Sequence, residues 1–155
     1  MRMVLQRVSR AAVSVDGDEV ARIGTGYLLL VGVQDGDDAE VARRMAAKVA
    51  SLRLFPGDEG RGFDRPLADV AGAVLVVSQF TVVGDVRKGN RPSWAAAALP
   101  DAAAPLVEDV ASHLEEVGIE VARGVFGAMM EVSLVNDGPV TLVLDSRDLL
   151  GPRRG

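Results

Sequence analysis

The chain has 155 residues, a formal net charge of −5, one histidine (His113) and no cysteine. That length suits one ordinary domain. The missing cysteine excludes disulfides, a thiolate nucleophile and thiolate-bound zinc, and a lone histidine excludes a polyhistidine metal site. At 48% hydrophobic and 25% charged the composition is that of a globular domain, and an acidic balance argues against broad contact with nucleic acid.

Residues 1–7 lack the apolar run of a signal peptide. The longest apolar stretches, 27–33 and 71–77, are too short to cross a bilayer, so no membrane association and a cytoplasmic setting are expected. Residues 4–8 and 11–15 read as strands, followed by an Asp16-Gly17 turn and a return strand 19–23. Residues 27–33 are continuously apolar, the pattern of a strand buried on both faces. Asp37 and Glu40 match a capping box for a first helix with Val41, Met45, Val49 and Leu52 at helical spacing.

Residues 73–80 form a second buried strand pattern, from which the polar segment 84–92 leads away. A second helix follows, with Asp101 as its cap, Pro105 near its start, an apolar stripe of Leu106, Val110, Leu114 and Val117, and Gly118 as its stop. Strands are expected at 119–122, 129–135 and 140–144. The order implies an α+β fold, a barrel-like antiparallel or mixed sheet with two main helices in a single domain, because strands do not alternate with helices. Gly24-Thr25-Gly26 lacks the continuation of a phosphate loop. The tail 146–155 is expected to fray. The clusters Arg2, Arg7, Arg10 and Arg87, Lys88, Arg91 read from charge alone as solvated surface.

Two segments stand out as candidates for chemistry. Ser78-Gln79-Phe80-Thr81 places hydroxyls, an amide and an aromatic face where a buried strand ends. Asn136-Asp137-Gly138-Pro139-Val140-Thr141 is turn chemistry between two strands. It is either a tight hairpin or a cis Gly-Pro, in which two neighbouring carbonyls point nearly together and bind an ammonium group or block one side of a chiral centre. Sequence does not choose between the two. His113 reads as a helix-surface or core-edge residue rather than a base.

Together these segments resemble the two signature motifs of the D-aminoacyl-tRNA deacylases. The resemblance extends, in matching order over residues 1–145, to Leu5-Gln6-Arg7-Val8-Ser9-Arg10-Ala11, Leu30-Val31-Gly32-Val33, Asn90-Arg91-Pro92-Ser93 and Gly127-Ala128-Met129-Met130. It implies hydrolysis of the ester of D-aminoacyl-tRNA, and of glycyl-tRNA, by a homodimer whose active sites lie at the subunit interface and which needs no cofactor or metal. It also implies a cis Gly138–Pro139 bond that reaches the partner's site and excludes L-amino acids. Ser78, Gln79, Phe80 and Thr81 would line the site for the tRNA 3′ end, Arg7 would hold the second motif, and Met130 and Asn136 would contact substrate. The chain departs from the family at Gly60-Arg61-Gly62-Phe63-Asp64-Arg65, where members carry Lys-Met-Asn after a glycine.

An activated ester needs less help than an amide, so positioning and backbone oxyanion donors can carry the reaction, with the substrate's 2′-hydroxyl orienting water. The other route makes Thr81 a nucleophile, which needs a base that the sequence does not offer. Two rivals are a non-catalytic RNA-end or protein-interaction module and a general esterase using Ser78 or Thr81, the latter without a Gly-x-Ser-x-Gly elbow.

Overall fold

A computed structural model describes residues 1–151. Eight strands carry the architecture: β1 (Arg2–Val15), β2 (Asp18–Ile23), β3 (Gly26–Gly32), β4 (Arg53–Phe55), β5 (Arg65–Pro66), β6 (Ala73–Ser78), β7 (Glu120–Arg123) and β8 (Glu131–Asp145). The helices are α1 (Ala39–Ser51), α2 (Pro100–Glu116) and α3 (Ser146–Leu150). The main sheet runs β2-β1-β3-β6-β7, with β8 against the other edge of β1 and β4-β5 forming a small separate pair. β3, β6 and β7 are mutually parallel, and β1 is antiparallel to β2, β3 and β8, so the sheet is mixed and barrel-like as expected.

The two expected first strands are one. β1 pairs with β3 over its first half and with β2 over its second, and a register shift near Ser9 lets it turn from one to the other. The Asp16-Gly17 turn forms as expected, both residues at positive φ (51° and 87°).

The continuous apolar runs of β3 and β6 are explained by two cores. Tyr27, Leu29, Val31, Val74 and Val76 face α1 and α2 through Met45, Val49, Val110 and Leu114. Alternate residues Leu28, Leu75 and Val77 face the barrel interior with Val8, Val13 and Ile23. Met45 has no exposed surface. Met45→Ala should therefore cost about 3 kcal/mol, read as a lower urea midpoint at unchanged slope.

Three helix details differ from expectation. The α1 cap is Asp38, whose carboxylate accepts from Val41 N–H, because Asp37 is engaged by the Met1 amine and the Gln34 N–H. α2 starts at Pro100 with Leu99 as cap, not Asp101, since proline at the first position lacks only an N–H that is unpaired anyway. Pro105 thus lies inside α2, past the first turn. Residues 146–150, expected to begin a frayed tail, form α3, with Asp145 capping and Ser146 buried against the Met1 amine. Arg153 and Arg154 lie outside the described residues.

Candidate active site

Of the two readings left open for residues 136–139, the tight hairpin is not formed. β8 is a single strand that stays paired with β1 on both sides of the motif. Gln6 pairs with Thr141 and Val8 with Asn136, so one residue of β1, Arg7, faces residues 137–140 of β8. The extra backbone loops outward as an extended bulge, leaving Asp137, Gly138 and Pro139 exposed. The Gly138–Pro139 peptide is cis.

Side chains brace this bulge from both ends. Arg7 is buried, donates from Nε to the Asp137 carbonyl at 3.1 Å and from Nη1 to the Leu54 carbonyl, and has the Asp137 carboxylate 3.3 Å away. Its guanidinium lies 5.8 Å from the centroid of Phe55, which stacks on Tyr27 at 5.5 Å. Burial pushes the Tyr27 phenol well above its usual pKa, against an opposing pull from Arg7. The Asn136 amide donates to Thr141 Oγ1 at 2.9 Å and accepts from Val140 N–H at 3.2 Å, so it closes the motif across its own base. Gly138 and Pro139 share a shallow cavity of about 280 Å³ with Arg7, Pro56, Gly60, Gly62 and Phe63. The loop that departs from the family pattern is therefore the neighbour of the motif.

The first motif sits elsewhere. β6 ends at Ser78, and residues 80–83 form one 3-10 turn. Ser78, Gln79, Phe80 and Met130 line a pocket of about 630 Å³, walled by Trp94, Leu99, Ala103, Phe126 and Met129. Its described lining includes no charged side chain. Phe80 meets Trp94 edge-on at 5.6 Å, an aromatic pair that the sequence reading missed, although the chain's one tryptophan follows directly on Asn90-Arg91-Pro92-Ser93.

Thr81 is exposed, and its hydroxyl is bonded to the Gln79 amide nitrogen at 2.5 Å. Among the described residues no carboxylate or imidazole bonds to it. His113 instead contacts Glu116 on α2. The N–H groups of Phe80 and Thr81 open a helical turn and have no acceptor within it. No cluster of three metal-ligating side chains occurs among the described residues.

The two cavities share no lining residue. One chain thus gathers Ser78, Gln79, Phe80 and Met130 at one place and Arg7, Asn136, Gly138 and Pro139 at another.

The family model described as D-Tyr-tRNA(Tyr) deacylase matches residues 4–145. The chain belongs to this deacylase family. Among similar curated proteins, a D-aminoacyl-tRNA deacylase of Roseiflexus castenholzii is 55% identical over 99% of this chain and 97% of its own length. One of Micrococcus luteus is 51% identical over the whole of both chains. A solved structure named c-Myc DNA Unwinding Element Binding Protein superposes with a TM-score of 0.89 at 34% identity, covering 94% of this chain and 98% of that one. A probable eukaryotic D-amino acid tRNA deacylase, at TM-score 0.75 and 18% identity over 92% of this chain and 97% of that one, shares the fold. The deacylase match ends at the close of β8 and takes in both motifs with Arg7 and Met130. No described helix is long and apolar enough to cross a membrane.

Proposed function

We propose that this protein hydrolyses D-aminoacyl-tRNA, and glycyl-tRNA with it, to free tRNA and amino acid, and rejects L-aminoacyl-tRNA at Gly138–Pro139. It works as a homodimer in the cytoplasm, where aminoacyl-tRNA is used. The observation that carries this reading is the separation of the two motifs: the neutral pocket lacks Gly138 and Pro139, and these two lie exposed beside a different, shallow cavity, so the two places are complementary halves. In a symmetric pair each copy supplies Gly138 and Pro139 to the other's pocket.

An uncharged, largely apolar pocket suits the terminal adenosine, with Met130 and Phe80 as apolar walls and Ser78 and Gln79 as polar guides. Water attacks the ester carbonyl carbon. The N–H groups of Phe80 and Thr81 hold the oxygen that gains charge. The bond to the ribose oxygen then breaks, that oxygen takes one proton from the attacking water, the other proton passes to solvent, and the amino acid leaves as its carboxylate. The substrate's 2′-hydroxyl orients the water, since no described carboxylate or imidazole bonds to Thr81.

Thr81→Ala should therefore keep kcat within about tenfold of wild type, because the donors are backbone groups that the substitution leaves in place. A loss of about a thousandfold or more, with folding and tRNA affinity intact, would establish a Thr81 nucleophile instead. The reading as a whole is tested by incubating the protein with D-tyrosyl-tRNA and L-tyrosyl-tRNA and following the charged fraction. Loss of the D-ester alone is expected. Loss of both removes the filter, and loss of neither removes the hydrolase.

A further inference from the structure

We infer that residues 85–93 form a phosphate-gripping lobe on the rim of the neutral pocket, holding the single-stranded 3′ end of the substrate through Lys88 and Arg91. This rests on the proposed deacylase reading and names how the same site engages the rest of its substrate.

The lobe is built and anchored, not a loose loop. Asp85 and Ser93 exchange both backbone hydrogen bonds, at 2.7 and 2.8 Å, and close its neck. Each side of the neck is fixed to the pocket. Gly84 donates to the Thr81 carbonyl, and a Cβ there would lie 3.1 Å from Trp94 Nε1, so the backbone is laid directly against the indole. Trp94 follows Ser93 and meets Phe80 within the pocket wall. The neck therefore adjoins the aromatic wall of the pocket.

Charge selects what the lobe holds. Arg22, Arg43 and Arg123 are each tied to carboxylates. Within the lobe Arg87 is tied to Asp85, whose pKa falls to about 2 through that hydrogen bond. Lys88 and Arg91 are exposed and have no carboxylate partner among the described residues. Exposed Asp101 and Glu131 flank the lining at Pro100 and Met130 and repel phosphate. The neutral pocket has no cation for a phosphate, so the lobe is where the charge of the nucleotides preceding the terminal adenosine is met.

The test compares Lys88→Ala/Arg91→Ala with wild type on D-tyrosyl-tRNA and on D-tyrosyl-adenosine, which carries the ester and the base but no phosphate. The expected result is a KM for the tRNA raised about tenfold at low salt with kcat unchanged, a log–log salt slope shallower by about 1.4 for two single-strand phosphates, and unchanged hydrolysis of D-tyrosyl-adenosine. Lys88→Arg/Arg91→Lys should keep the wild-type slope, because charge and not shape is used. Equal losses on both substrates, or no change on the tRNA, would overturn the lobe's role. Failure of wild type on D-tyrosyl-adenosine and tRNA alike would defeat the deacylase reading itself, and this inference with it.

Discussion

Arg7→Ala should lower stability by about 3 kcal/mol and, on the proposed function, lose most of the discrimination between D- and L-tyrosyl-tRNA. Arg7 is the one residue of β1 that faces the whole bulge, and it is buried. Without it the buried Leu54 carbonyl is left unpaired, at about 1–3 kcal/mol, and the part-buried Asp137 carbonyl loses its donor as well. The Phe55 ring loses its cation as well. Urea melts give the first quantity and the ratio of hydrolysis rates gives the second. Arg7→Lys should recover only part of either, because a point charge cannot span two carbonyls as the planar fork does. Wild-type stability and selectivity in the alanine variant would remove Arg7 as the anchor.

Gly138→Ala should reduce kcat/KM for D-tyrosyl-tRNA about a hundredfold, the scale set by a displacement of about 1 Å at a reacting centre. Gly138 sits at φ +125°, where a side chain is strained. Its added Cβ would lie 2.8 Å from Val140 Cγ2 and 2.9 Å from Arg7 Nη2, so either the motif or its anchor must shift. The pocket at Ser78–Phe80 shares no residue with this cavity. The inhibition constant of free adenosine should therefore be unchanged. A parallel loss of adenosine binding would mean that the fold, not the proposed filter, had been damaged.

Much of this architecture is written plainly in the sequence. Unbroken apolar runs at residues 27–33 and 73–77 foretell strands with a core on each face, and Asp16-Gly17 foretells its turn. Residues 136–139 mislead because Asn, Asp, Gly and Pro signal a turn from local chemistry alone, whereas the path here is set by the ladder to β1 on both sides. Asp37 is the better cap on paper, because Glu40 three residues on completes a capping box with it. The choice falls to Asp38 because Asp37 is drawn to the Met1 amine, which lies beside it only after β1 has been placed. The Phe80–Trp94 pair and the separation of the two motifs are likewise products of folding, with no signature in residue spacing.

The pairing of β8 with β1 on both sides of the motif bears on the proposed fidelity under heat. A filter carried on a free hairpin could loosen while the rest of the enzyme still turned over, and errors would rise before activity fell. Here the motif lies between ladder pairs at Gln6–Thr141 and Val8–Asn136, inside the longest strand of the domain, and cannot open without parting the central sheet. As temperature rises, the ratio of D- to L-ester hydrolysis should stay level up to the melting transition. The molecule would then stop working before it began to work wrongly.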